Sequence, residues 1–332
     1  MRILAIDLGY SNVKIAYYDE NGILQLDKYI SALAKVDNPM EIDDDVMFRF
    51  GINYYILGTP ALKVPRSSLL NLETFDDLKT AYPIWISYIL KKYGGVDKFD
   101  KVIIGLSMAW ADKCDELLDY LYEALLMDKT TDYFMCMSQG LAAKGVYNTR
   151  GLDLREGSKN NDSKMRNYLI LDGGYETIDI ASVQNGTASA GATVGIPNTG
   201  LICVSYDIID YLFKEYEMKM SIKEAQTVVD SGGKFVRRNK EYDISTKLDE
   251  FIKKYINNVL IMLEDKYSES LDSIEGILVC GGFAYFLKKY LEDPEVINMI
   301  EKHFPLSFLK ITEDSSEFYN VVGYLDIAQK IL

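Results

Sequence analysis

Ile6-Asp7-Leu8-Gly9-Tyr10-Ser11-Asn12-Val13-Lys14-Ile15-Ala16 lies over Leu171-Asp172-Gly173-Gly174-Tyr175-Glu176-Thr177-Ile178-Asp179-Ile180-Ala181 without a gap, and Asp, Gly, Tyr and Ala coincide. The second stretch follows the first by 165 positions (Asp7 to Asp172), about half of the 332-residue chain. Each copy opens on an apolar strand (Ile3 to Ile6; Tyr168 to Leu171), reaches an acidic residue, turns at glycine and resumes as an alternating strand. Each is therefore expected to be a β-hairpin with a carboxylate at its tip. With one later gap, Asn21-Gly22 falls on Asn185-Gly186, a dipeptide that favours a tight hairpin turn. Asp-x-Gly at a strand end is by itself a common turn, and a strand lysine usually faces water. Two matching tips are harder to obtain as independent coincidences.

Further from the hairpins, both halves continue with short strands and then helices. The first half shows helical periodicity over Thr74 to Lys92 and Asp112 to Met127, with a strand at Lys101 to Leu106 between them. The second shows helices near Gly200 to Tyr216, Ser221 to Asp230 and Ser245 to Tyr267, and Ser221 with Glu224 forms a capping-box pattern. Gly276-Ile277-Leu278-Val279-Cys280-Gly281-Gly282-Phe283 reads as a buried strand entering a glycine turn and a helix. A last helix over Ser315 to Leu332 is expected to return to the first half. Thr149 to Asn167, polar and glycine-containing, reads as a surface loop.

A hydrophobic content of 48% over this length supports two domains with real cores. The net charge of −14 disfavours direct contact with nucleic acid or anionic lipid. The apolar run before Asp7 is too short for a signal peptide, and no run reaches the roughly 18 residues of a membrane helix. The chain is expected to be soluble and cytoplasmic. Cys114, Cys136, Cys203 and Cys280 form no CxxC pair and are read as reduced thiols. His303 is the only histidine, so charge-relay triads and histidine-rich zinc sites are disfavoured. Chemistry must rest on carboxylates, amides and hydroxyls, the hard oxygen ligands that suit magnesium bound together with a phosphate.

Two such hairpins facing each other across a cleft would suit a metal nucleotide. Backbone N–H groups would surround the β- and γ-phosphates, Asp7 and Asp172 would hold Mg2+ through its waters, and an inward Lys14 would neutralise phosphate charge.

The pattern resembles the actin, sugar kinase and seventy-kilodalton chaperone superfamily. Ile6 to Lys14 is similar to its first phosphate motif, Leu171 to Asp179 to its second, and Leu278 to Ala284 to its adenosine motif. Met137-Ser138-Gln139-Gly140-Leu141-Ala142-Ala143 resembles the first connecting helix, and Gly195-Ile196-Pro197-Asn198-Thr199-Gly200 the second connecting segment. The motifs occur in family order over almost the whole chain. Overall size, Val64-Pro65-Arg66 followed by Ala81-Tyr82-Pro83, and the ending Phe318 to Tyr324 look most like prokaryotic plasmid-segregation proteins of the ParM and Alp types and archaeal actin-like proteins.

The resemblance implies an α/β fold of two related RNase H-like domains, each a mixed five-stranded sheet with flanking helices, and a nucleotide in the cleft between them. Domain I would comprise 1–147 with 312–332, and domain II 148–311. Asp7 and Asp172 would organise Mg2+; Gly9, Tyr10, Ser11, Asn12, Lys14, Gly173, Gly174, Tyr175 and Gly200 would border the phosphates. Gln139 would position the attacking water, although it could instead cap its helix. Gly281, Gly282 and Phe283 would border adenosine, although Phe283 also suits the core. Glu224 would approach the nucleotide, although the capping box already explains it. Tyr10, Tyr175 and Glu176 depart from the family, which favours small residues at hairpin tips.

The implied activity is hydrolysis of ATP to ADP and phosphate coupled to polymerisation into a homopolymeric filament. It would serve plasmid or phage DNA segregation or intracellular positioning, through a DNA-binding adaptor protein and without membrane contact. A small-molecule kinase and a non-polymerising nucleotide-binding scaffold are the alternatives on the same fold. ATP and GTP are not separated at this level.

Overall fold

The computed structural model describes residues 1–37, 47–70, 72, 74–154, 165–312 and 315–331. Residues 155–164 of the loop expected over Thr149 to Asn167, and Leu332 of the last helix, lie outside the described residues. The chain separates into two compact units, residues 1–157 with 318–332, and residues 158–317.

The first unit runs β1 (Ile3–Leu8), β2 (Asn12–Tyr18), β3 (Leu24–Ile30), β4 (Leu33–Val36), β5 (Met47–Phe50), β6 (Asn53–Leu57), α1 (Phe75–Lys92), β7 (Lys101–Leu106), α2 (Cys114–Ala124), β8 (Phe134–Ser138) and α3 (Leu141–Arg150). Its main sheet has the order β3-β2-β1-β7-β8, antiparallel from β1 outward through β2 and β3 and parallel from β1 through β7 and β8. Central β1 is buried along its whole length, as its unbroken apolar run Ile3 to Ile6 requires. Helix α1 starts on a capping box of Thr74 with Asp77 and buries Tyr82, Trp85, Ile86 and Ile89.

The second unit runs β9 (Tyr168–Gly173), β10 (Ile178–Gln184), β11 (Thr187–Ile196), α4 (Ile202–Tyr216), α5 (Ile222–Asp230), β12 (Lys234–Arg237), β13 (Lys240–Asp243), α6 (Ser245–Leu271), β14 (Gly276–Cys280), α7 (Gly281–Tyr290), α8 (Pro294–His303) and β15 (Leu309–Ile311). Its five-stranded sheet, β11-β10-β9-β14-β15, repeats the order of the first, with the same change from antiparallel to parallel at the central strand. The chain then returns to the first unit as α9 (Tyr319–Ile331), which packs on α3 and β1. The α/β class and the two related mixed five-stranded sheets are as the sequence predicts.

The sequence repeat is a repeat of register. Asp7 pairs with Lys14 across β1–β2, and Asp172 with Asp179 across β9–β10. Each turn closes on the same bond, Gly9 N–H to the Asn12 carbonyl at 3.0 Å and Gly174 N–H to the Thr177 carbonyl at 2.9 Å. The carboxylates sit inside strands, one residue before Leu8 and Gly173, rather than at the turns. Asn185-Gly186 makes the expected two-residue turn, both residues left-handed at φ 51° and 74°. Asn21-Gly22 does not, because the Asp19 carboxylate accepts from the N–H groups of Asn21 and Ile23 at 2.9 Å and organises a longer loop.

Three other expectations are corrected. Thr149 and Arg150 belong to α3 rather than to a loop. The Arg150 guanidinium donates to both oxygens of buried Asp326 at 2.9 and 2.7 Å, and Thr149 Oγ1 donates to the same carboxylate at 2.7 Å, so a paired charge extends the helix. The helix expected from Asp112 begins at Cys114, after a 3-10 segment Met108–Lys113. Cys114 and Cys136 are not free thiols: the first turn of α2 lies beside β8, their Cα atoms are 5.7 Å apart, and a disulfide joins them across 22 positions. Cys203 and Cys280 are not disulfide-bonded.

Candidate functional site

Each unit carries its own set of candidate residues on and beside its central strand. In the first, Asp7 on β1 is 1% exposed. Lys14 faces it across the antiparallel pair, its Nζ 3.2 Å from Oδ2. Gln139 Nε2 donates to the other carboxylate oxygen. A buried carboxylate is tolerated here because an ammonium and an amide both address it.

Gln139 stands in the link between β8 and α3. Its backbone N–H donates to the Leu106 carbonyl at 2.7 Å, and the next N–H, of left-handed Gly140, donates to Asn320 Oδ1 on α9 at 3.1 Å. The N-cap position of α3 belongs to Gly140, with no side-chain cap, so Gln139 reaches Asp7 instead of capping its helix. Gly323 lets α9 come close enough to hold this link, since a Cβ there would fall 2.2 Å from the Ala142 carbonyl. At the hairpin tip Asn12 Nδ2 donates to Ser11 Oγ at 2.8 Å, and the Ser11 carbonyl accepts from Ser31 N–H. Tyr10 packs against the core of its own unit.

In the second unit Asp172 on β9 is 5% exposed and stands opposite buried Asp179. The second hairpin thus carries a carboxylate at the register position where the first carries Lys14. Gly173 and Gly281 form a bridge that brings the start of α7 against the end of β9. A Cβ on Gly281, whose φ is 74°, would fall 2.3 Å from Asp172 Oδ1, and one on Gly173 would fall 2.2 Å from Phe283 Cβ. These glycines are therefore fixed by contact between the two motifs. At Gly282 a Cβ would meet only ordinary contacts, at 3.6 and 3.7 Å, so packing within the chain does not demand that glycine. Phe283 lies in the core, edge-on to Tyr255. Among the described residues no group of three or more His, Cys, Asp or Glu could hold a metal ion.

The tip of the second hairpin faces α4. Tyr175 packs against the core of its unit, with its hydroxyl 3.0 Å from Ser205 Oγ, and a Cβ on Gly200 would fall 2.4 Å from the Tyr175 carbonyl. Both tip tyrosines thus turn toward their own domains, which is the physical account of their departure from small residues. Glu224 accepts from the N–H and Oγ of Ser221 at 2.7 and 2.9 Å, so the capping box occupies it. Its neighbour Lys223, absent from the sequence reading, has its ammonium pKa pushed down by burial to about 8. No sequence pattern marks that lysine, because the shift arises from its packing.

Glu176, at the same tip, is 6% exposed. Oε1 accepts from Asn198 N–H at 3.0 Å, whereas Oε2 is buried with no hydrogen-bond partner among the described residues. Burial raises its pKa against that single donor. The native state thus holds the proton more tightly than the unfolded chain, so the stability contribution is complete below the ordinary carboxyl range and is lost as pH rises through the raised value. Glu176→Gln is accordingly expected to melt above the parent at pH 8, with the gap closing as pH falls toward 4.5. A gap that stays constant across calorimetric scans over this range would show the carboxyl to be unstrained.

One match to known proteins lies in the second unit and the others span the chain. Residues 170–293 match a family model described as the C-terminal part of the archaeal actin homologue MreB-like proteins. No curated protein sequence matches the chain. Among solved structures, a ParM filament from Clostridium botulinum superposes with a TM-score of 0.72 at 15% identity, covering 99% of each chain. Ta0583, an archaeal actin homologue in complex with ADP, gives 0.70 at 14% identity, covering 99% of this chain and 100% of that one. A non-polymerising MamK mutant bound to AMPPNP gives 0.54 at 15%, with 99% and 98% covered. The chain therefore has the actin-like fold, and its likeness to ParM and archaeal actin-like proteins is shown.

Proposed function

We propose that the chain is a nucleotide-dependent, filament-forming ATPase. The reading is carried by one observation: the same hairpin, in the same register, with a buried aspartate at the same step, stands at the centre of both sheets. The residues fit a magnesium nucleotide. Asp7 and Asp172 are buried carboxylates at matching steps of the two central strands, and Gly282 leaves room at a helix start where packing does not require it. Ser11, Asn12 and Lys14 would meet phosphate from the first domain and Gly173 from the second, while Gly9 and Gly174, whose N–H groups close their own turns, would let phosphate approach the tips closely. Asp7 and Asp172 would hold Mg2+ through its waters. When bound, the ion supplies neutralisation of phosphate charge.

Gln139 has its Nε2 committed to Asp7, which leaves its carbonyl oxygen to accept from the attacking water. An amide orients water but is a poor base for a substrate hydroxyl, so hydrolysis is favoured over small-molecule phosphorylation. Contacts made only by the γ-phosphate would bias the conformational equilibrium and hence assembly. ParM as a filament supports the polymerising role. The formal charge of −14 favours a separate DNA-binding adaptor in segregation or positioning within the cytoplasm.

The test is sedimentation and light scattering with Mg-ATP, Mg-GTP, Mg-ADP and a non-hydrolysable analogue, with phosphate release measured in parallel. Pelletable polymer above a critical concentration with a triphosphate, and its decay as phosphate appears, is the expected result. A monomer in every nucleotide, across salt and protein concentration, overturns the filament reading.

A further inference from the structure

The tip Gly174-Tyr175-Glu176 holds every backbone N–H from Asn198 to Ile202. Leu201 donates to the Gly174 carbonyl at 3.2 Å and Ile202 to the Tyr175 carbonyl at 2.7 Å. Thr199 and Gly200 donate to the Glu176 carbonyl at 3.2 and 3.1 Å, and Asn198 donates to the Glu176 carboxyl at 3.0 Å. The amides that open a helix are ordinarily the ones available to an anion. Ahead of α4 those from Asn198 to Ile202 are engaged by the hairpin, and those of Cys203 and Val204 donate to the Gly200 and Leu201 carbonyls at 3.1 and 3.0 Å, so this segment grips the tip and does not offer those donors to a phosphate.

Four of the five bonds end on backbone carbonyls and need no particular side chain. The fifth needs a carboxyl or amide acceptor at position 176, where it holds Asn198 at a left-handed φ of 57°. A buried carboxyl with one oxygen unpartnered is unfavourable for stability alone, which points to a use beyond packing. We infer that Glu176 is a positioning residue that locks the second phosphate hairpin to the connecting segment and α4, so that γ-phosphate at the hairpin moves the helix. The inference rests on the reading of β9–β10 as a phosphate hairpin. Glu176 makes no phosphate contact in this role; it acts through Asn198 and the loop that ends in Gly200.

Two measurements test it. The first is the ratio of affinities for a non-hydrolysable ATP analogue and for ADP, determined by nucleotide fluorescence for the full chain, Glu176→Ala and Glu176→Gln. Loss of the Asn198 hydrogen bond, which on this inference the triphosphate state alone exploits, should cut the ratio about tenfold in Glu176→Ala. Glu176→Gln keeps the acceptor for Asn198 and should restore most of the ratio. Equal loss for both nucleotides in Glu176→Ala, in step with a lower melting temperature, overturns the coupling and leaves the ATPase reading standing. A parent chain that binds neither nucleotide overturns both.

The second measurement needs no variant. Hydrogen exchange of the parent chain should show amides 198–202 and the first turn of α4 changing protection together with 174–177 when the analogue replaces ADP. A change confined to 174–177 overturns the inference.

Discussion

Gln139→Ala is expected to slow phosphate release by about 100-fold, the scale of a misplaced reacting group, while nucleotide still binds. The backbone bonds that place the residue, from its own N–H to Leu106 and from Gly140 to Asn320, do not involve the side chain and remain in the variant. Asp7 loses one donor but keeps Lys14, a net change on the order of 1 kcal/mol in stability. The defect should therefore fall on turnover and not on folding. On the proposed coupling of assembly to the triphosphate, polymer formed with Mg-ATP should outlast that of the parent. Single-turnover phosphate release, time-resolved sedimentation and a melting curve on the same preparation separate these effects. Turnover at the parent rate would remove Gln139 from the chemistry.

The fold was legible because its central elements obey local rules. The apolar runs of β1 and β9, the glycine after each aspartate and the register step of seven residues all lie within short windows, so duplication was visible as sequence. The ends of elements were less legible wherever a distant partner decides them. Arg150 reads as loop until Asp326, far along the chain on α9, supplies its counter-charge. The Cys114–Cys136 bond depends on α2 starting beside β8, which residue spacing does not encode. Asn21-Gly22 and Asn185-Gly186 look alike, yet Asp19 reorganises the first.

The candidate site divides in the same way. Asp7 and Asp172 follow from the repeat, whereas the partners that define their roles do not. Gln139 reaches Asp7 across 132 positions. Tyr10 and Tyr175 looked like intrusions at the phosphate tips because sequence says nothing about which way a turn residue faces; their rings pack on their own cores. Lys14 and Asp179, equivalent in register, give the two halves opposite electrostatics.

The Asp172 side is sensitive to small steric change because Gly281 and Gly173 pack without room for a Cβ. Gly281→Ala is expected to weaken nucleotide binding about as severely as Asp172→Ala, by roughly 100-fold if several kcal/mol of strain is relieved by displacing the carboxylate. The added Cβ would lie 2.3 Å from Asp172 Oδ1 and 2.7 Å from the Gly173 carbonyl, and the φ of 74° is itself unfavourable for alanine. Stability should fall too, since β9 and the start of α7 are packed through this point. Gly282→Ala is the contrasting case. Its Cβ would meet only contacts of 3.6 and 3.7 Å, so the fold should tolerate it with an unchanged melting temperature. If adenosine lies against this helix start, Gly282→Ala should still lose affinity, separating a glycine kept for a ligand from one kept for the chain. Melting curves and nucleotide titrations of both variants decide the matter. Parent-like stability and affinity in Gly281→Ala would contradict the close contact with Asp172, and parent-like affinity in Gly282→Ala would remove Gly282 from the nucleotide's border.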